Sequence, residues 1–231
     1  MHASLVPPLA VASPLAEVYG RSLASSEMGG DLIDAVVSDD RVEVLLGDVS
    51  GHGVGAGVVM AMLKGCVRMR LLRNADLGEV VGDANAVLAE LTEPHMFATF
   101  VAMRIRAEDD GSGTRLEFAL AGHLPLFHFR AATADWVQHP NECLPLGVDG
   151  TERFTSGAVR VSRGDVLAVF TDGLMEVQNA GGKELGLEGV EAVLRRSLRP
   201  SLETTYNAVM TSIAAHGPRL DDQSLVLVRI V

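Results

Sequence analysis

Residues 41–62 read RVEVLLGDVSGHGVGAGVVMAM, and the change of periodicity inside this stretch decides the fold. Val42, Val44 and Leu46 alternate with Arg41 and Glu43, which predicts a strand. The run turns almost wholly apolar toward Gly47 and then delivers a carboxylate, Asp48. A tight Gly-rich turn carrying His52 follows, and a Gly/Ala-rich helix starts near Val54. No Lys or Arg lies between Arg41 and Lys64. A charge set at the end of a buried run is costly unless something pairs it, so a metal cation is the expected partner of Asp48.

Working outward, Leu32 to Val37 reads as a strand, Ser38-Asp39-Asp40 as a turn, and the opening strand then pairs back as a hairpin. That hairpin brings Asp31, at the start of one strand, near Asp48, at the end of its antiparallel neighbour. Leu15 to Leu23 is a further strand, entering the polar segment from Ser25 to Asp31. On the other side, Val54 to Leu72 is apolar on nearly every face and is expected to be buried all round. Asp76 to Leu91 is amphipathic, and Asp76 and Glu79 have capping-box spacing. Strand-like runs follow at 97–105, 116–121, 124–130, 136–139, 158–161 and 166–171, with a turn at Asp109 to Gly113. Helices at 187–198 and 201–216 precede a last strand, 224–231. Hairpin-linked strands with helices inserted in blocks predict an α+β layered domain with mainly antiparallel sheets. The chain is expected to be one domain over 1–231, with 1–14 as an N-terminal extension.

Composition excludes several classes of function. Apolar residues make up 48% and charged residues 21% of the 231, which is globular rather than disordered. Aromatics are only 4%, so Val, Leu, Ala and Met must build the core. The 30 acidic and 19 basic residues give a net charge of −11, which argues against a nucleic-acid or anionic-membrane partner. Cys66 and Cys143 lack metal-type spacing and read as free thiols. Pro7, Pro8 and Pro14 interrupt the N-terminal apolar run and no basic residue precedes Arg21, so no secretory signal is expected. No stretch is apolar for long enough to cross a bilayer. The expected location is the cytoplasm.

Asp31, Asp48, Asp172 and the pair Asp221-Asp222 all stand where a predicted strand meets a loop, the position from which rigid elements hand side chains to a site. Converging carboxylates repel one another unless cations compensate them. Oxygen-only ligation suits Mg²⁺ or Mn²⁺. Two such ions about 3.5–4 Å apart would acidify a water between them and clamp a phosphoryl group for in-line attack.

Gly29-Gly30-Asp31, the run Gly47 to Gly53, Ala121-Gly122-His123, Leu144-Pro145-Leu146-Gly147, Gly164-Asp165, Thr171-Asp172-Gly173 and Asp221-Asp222-Gln223-Ser224 occur in this order. Together they resemble the metal-dependent serine/threonine phosphatases of the PPM type, in the bacterial branch typified by stage II sporulation protein E. The resemblance implies an α-β-β-α sandwich and two Mn²⁺ or Mg²⁺ ions. It implies that Asp48 bridges the ions, that the Val49 carbonyl is a further ligand, that Asp31 binds one ion, and that Asp172 and Asp221 bind the other. Asp222 stands beside Asp221 as the alternative ligand. It also implies direct attack of water on phosphoserine or phosphothreonine, without a covalent enzyme intermediate. The implied substrate is a phosphorylated anti-anti-sigma protein of the STAS type in a partner-switching circuit. A regulator is expected to dock on the helices between residues 54 and 91. The branch usually carries aromatics after the first Asp, where this chain has Leu32 and Ile33.

His52, four residues after Asp48, could act as a general acid toward the leaving oxygen; the alternative is a turn-stabilising histidine. His123 reads as a structural turn residue. Two other classes of function compete. Gly51-His52-Gly53-Val54-Gly55-Ala56 fits a dinucleotide fingerprint, but that motif needs a parallel strand after the helix, and Asp76 to Leu91 reads as another helix. A phosphatase-like module without activity would be expected to have lost at least one carboxylate.

Overall fold

The computed structural model describes residues 2–25, 28–93, 95–108, 111 and 113–231. The expected turn residues Asp109, Asp110 and Ser112, and Ser26 and Glu27 of the polar segment, lie outside the described residues. Among the described residues eleven strands form two sheets. Sheet A holds six strands: β1 (Leu9–Ala12), β2 (Ala16–Leu23), β7 (Leu126–Arg130), β8 (Asp135–His139), β10 (Val166–Phe170) and β11 (Gln223–Ile230), in the order β1-β2-β11-β10-β7-β8. Sheet B holds five: β3 (Leu32–Val37), β4 (Arg41–Val49), β5 (Ala98–Ala107), β6 (Thr114–Ala121) and β9 (Gly157–Val161), in the order β3-β4-β5-β6-β9. Every pairing between these strands is antiparallel.

Period-two alternation explains how the sheets stack. In β10 and β11, Leu167, Val169, Val226, Val228 and Ile230 join one apolar cluster with Leu32, Val44, Leu46 and Val101 of sheet B. The intervening Val166, Ala168, Phe170, Leu225 and Leu227 join a second cluster instead. That cluster lies under the helices α4 (Gly186–Ser197) and α5 (Leu202–Ala214), through Val190, Leu194, Tyr206, Val209 and Ile213. The central strands of sheet A are therefore covered on both faces, which is why they read as continuous apolar runs. Sheet B is covered on its outer face by α2 (Val54–Leu71) and α3 (Leu77–Leu91). The layers run α-β-β-α, as the resemblance implied.

Three local features differ from the sequence reading. Residues 9–12, inside the expected N-terminal extension, pair with β2 as an edge strand, preceded by a short helix, α1 (His2–Leu5). Asp76 caps α3 by accepting from the Gly78 amide at 2.8 Å, whereas Glu79 faces Arg70. The third is a correction: α2 is not buried all round. Ala56, Val59, Met60, Leu63, Val67 and Leu71 face the sheet, but Val54 is 72% and Val58 61% exposed. An outer-layer helix can present only one face to a sheet, whatever its composition.

α2 is also tied down electrostatically. Asp34 of β3 accepts from Arg68 at 2.5 and 2.7 Å and lies 3.4 Å from Lys64. Leu63→Ala on the buried face is expected to cost about 2–5 kcal/mol in denaturant unfolding, while Val58→Gln, five residues earlier on the outer face, should stay within about 0.5 kcal/mol of wild type.

Candidate metal centre

The β3–β4 hairpin pairs Leu32 with Gly47, which sets Asp31 beside Asp48. Gly30 permits this approach, because a Cβ there would stand 2.5 Å from the Val49 carbonyl oxygen. Gly51 and Gly53 take φ of +86° and +82° in the turn that opens α2. They serve that turn, and α3 follows α2 where a dinucleotide site would need a parallel strand.

Sheet A brings the other carboxylates. β10 ends at Phe170, opposite Leu225 of β11. Asp172 opens a single 3₁₀ turn just beyond one strand, and Asp221-Asp222 immediately precede the other. The two sheets meet at Asp31. Its Oδ2 accepts from the Thr171 hydroxyl at 3.0 Å and the Ser224 hydroxyl at 2.6 Å. Its Oδ1 is buried and takes no hydrogen bond from the described residues.

These carboxyls disturb one another strongly. Burial, reinforced by the charges of Asp31, Asp172, Asp221 and Asp222, pushes the Asp48 carboxyl up to about 9. Burial pushes Asp31 up to about 7; Asp222 and Asp172 add to the rise, and the Ser224 and Thr171 hydroxyls oppose it. Asp172 is raised by burial and then by Asp221. Glu176, which the sequence reading passed over, is raised by burial and then by Asp172 and Asp221. It lies one helical turn after Asp172, a spacing that could have flagged it.

The neighbouring acids Asp221 and Asp222 are placed differently. Asp222 is buried, and both its oxygens are engaged: Oδ1 accepts from the Ser25 amide and hydroxyl at 2.6 and 2.7 Å, and Oδ2 from the Gly30 amide at 3.0 Å. Asp221 is exposed at the mouth, where its charge acts on Asp48 and Asp172.

The donor set fits divalent cations. It is all oxygen, it carries excess negative charge, and it holds a buried carboxylate oxygen without a partner among the described residues. Among the described residues no three His, Cys, Asp or Glu side chains close around one point. Ions held here would keep several waters, as Mg²⁺ and Mn²⁺ commonly do.

The structure does not bring His52 into this cluster by any bond. It is exposed beside a shallow cleft lined by Ser50, Gly51, Ala56 and His95. His123 is buried, with Nδ1 2.9 Å from the Thr99 hydroxyl, and burial pushes its pKa down to about 4. Thr99 pairs with Asp48 across β4 and β5, so this neutral imidazole packs under the site.

Comparison with known proteins follows the same lines. A family model described as Stage II sporulation protein E (SpoIIE) matches residues 38–231. The phosphoserine phosphatase RsbU of Bacillus subtilis (strain 168) is 22% identical over 161 residues, which are 70% of this chain and 47% of that protein. The chain thus spans about half the length of this curated relative. The structure of the RsbU and RsbW domains of Rv1364c from Mycobacterium tuberculosis aligns with a TM-score of 0.78 at 24% identity, covering 96% of this chain and 61% of that one. The catalytic domain of the serine/threonine phosphatase PstP, in complex with 2 manganese ions, aligns with a TM-score of 0.65 at 17% identity, covering 94% and 99% of the two chains.

The raised Asp48 carboxyl has a measurable consequence. An aspartate of pKa near 3.9 in the unfolded chain and about 9 in the fold costs nothing below the unfolded value, and its penalty grows until pH passes the folded one. With EDTA present, Asp48→Asn should therefore unfold at nearly the wild-type temperature at pH 4.5 and at a clearly higher one at pH 8. Adding Mn²⁺ at pH 8 should raise the wild-type midpoint more than that of the variant.

Proposed function

The chain belongs to the stage II sporulation protein E family, and from that premise we propose that it is a metal-dependent protein serine/threonine phosphatase. The observation that carries this reading is that Asp31 and Asp48 from sheet B and Asp172 and Asp221 from sheet A stand near enough at one end of the sandwich for their charges to act on one another, in a field that favours cations. In this reading Asp48 would be shared between two divalent ions, with the Val49 carbonyl as a further ligand; Asp31 would serve one ion, and Asp172 and Asp221 the other. Asp222, whose oxygens already hold Ser25 and Gly30, positions the 25–30 loop rather than binding metal.

Cations held there supply charge neutralisation for a phosphoryl group and acidify water. The chain's own part is orientation. Thr171 and Ser224 fix the direction of Asp31, and Gly30 holds the loop against the Val49 carbonyl. Among the described residues His52 has no partner that would orient its ring, so we assign it to the turn rather than to proton transfer.

The proposed substrate is a phosphoserine or phosphothreonine on an anti-anti-sigma protein of the STAS type. Support comes from the phosphoserine phosphatase name of the Bacillus relative and from the RsbU and RsbW domains joined in the mycobacterial structure. The apolar stripe of Val54 and Val58 on α2, continued by Leu91 of α3, is proposed as the surface on which a regulator docks. Among the described residues no helix is long and apolar enough to cross a membrane.

Steady-state hydrolysis of phosphorylated STAS proteins with Mn²⁺ tests the proposal. Asp48→Asn and Asp172→Asn should each lose about 10²–10³-fold in kcat, the scale at which charge-stabilising groups act. His52→Ala should lose less than about tenfold, below the range of a general acid. Undiminished turnover by Asp48→Asn would end the two-metal reading.

A further inference from the structure

Asp31 is held in an unequal way that the ligand assignment alone does not require. Its carboxylate is 1% exposed. Both hydroxyl donors, Thr171 at the end of β10 and Ser224 on β11, converge on Oδ2, at 3.0 and 2.6 Å. The two donors are themselves linked, because the Ser224 amide donates to Thr171 Oγ1 at 3.0 Å and the Thr171 amide to the Ser224 carbonyl at 3.1 Å. Oδ1 is left buried and without a partner among the described residues. A carboxylate with one oxygen saturated by rigid donors can offer a cation only the other oxygen.

Single-oxygen ligation matters for which ion is accepted. Mg²⁺ and Mn²⁺ take octahedral sites and accept one oxygen from each carboxylate, whereas Ca²⁺ takes six to eight oxygens and commonly gains them by bidentate carboxylate binding. We propose that Thr171 and Ser224 are positioning residues that hold Asp31 to one-oxygen ligation and thereby set a preference for Mn²⁺ or Mg²⁺ over Ca²⁺. This rests on the two-metal reading of the site and adds to it the residues that select the ion. A hydroxyl next to Asp172, in Thr171-Asp172, and another three residues after Asp221, in Asp221-Asp222-Gln223-Ser224, are the sequence trace of the device.

The test is equilibrium binding of Mn²⁺ alone and of Ca²⁺ alone to the full chain, by electron paramagnetic resonance of free Mn²⁺ and by calorimetry for Ca²⁺. Ser224→Ala removes one donor without disturbing a backbone bond. Thr171→Val removes the other donor and also the acceptor for the Ser224 amide, and Thr171→Ser restores both. Loss of such supporting groups typically costs about 10–100-fold in metal affinity. Ser224→Ala and Thr171→Val should weaken Mn²⁺ by about tenfold or more on that scale while Ca²⁺ changes by less than about threefold, and Thr171→Ser should bind both ions like wild type. Should Thr171→Val fail to fold, as judged by circular dichroism in EDTA, Ser224→Ala decides alone. Mn²⁺ affinity unchanged in Ser224→Ala, or an equal loss for Mn²⁺ and Ca²⁺, overturns the inference while leaving the site reading intact. A wild-type chain that binds no Mn²⁺ overturns both.

Discussion

Mutual repulsion among carboxylates at one end of a sandwich is the constraint on which the rest of this structure depends. Asp48 is the next-to-last residue of a strand whose other residues are nearly all buried, and its carboxyl is pushed upward by burial and by the charges of its neighbours. Such an arrangement is unfavourable for folding. It persists because the layers around it are held by apolar packing that does not involve the site, through Leu45, Leu46, Val101, Leu167 and Val226. The site is a strained end on a well-packed body, a common pattern where function and stability compete.

Neither sheet contains the whole of the proposed site. Sheet B contributes Asp31 and Asp48 through a hairpin, and sheet A contributes Asp172 and Asp221 at the ends of two adjacent strands. Asp31 joins the halves, since it begins in sheet B and is held by hydroxyls of sheet A. Small shifts of one sheet against the other would therefore register at Asp31 first. The helices α2 and α3 lie on the outer side of sheet B, and the turn from Asp48 to Val54 leads directly into α2. A partner that moved α2 would act on the sheet B half of the site through that turn.

Much of the fold was legible because alternation and turn chemistry agree along the chain. β3 occupies the residues expected for it, and β4 runs from the expected start to two residues beyond the expected end, carrying Asp48 and Val49 inside the strand. The exposure of α2 was not legible, because a helix apolar on every face does not say how many faces a neighbour will cover. The edge strand β1 was hidden among prolines. At the site, local motifs indicated which carboxylates to consider, but the different placements of Asp221 and Asp222 depend on Ser25 and Gly30, nearly two hundred residues away. The hydroxyls of Thr171 and Ser224 escaped notice for the same reason: their partner, Asp31, is distant in sequence. The burial of His123 between Thr99 and the sheet interior was likewise invisible from a Gly-His-Leu-Pro turn.

Anomalous diffraction from crystals grown with Mn²⁺ would locate the ions themselves. Two peaks are expected, one beside Oδ1 of Asp31 and one toward Asp172 and Asp221, with Asp48 reaching both and Asp222 still bonded to Ser25 and Gly30. Peaks on Asp222, or none among these carboxylates at saturating Mn²⁺, would rule out the two-ion site.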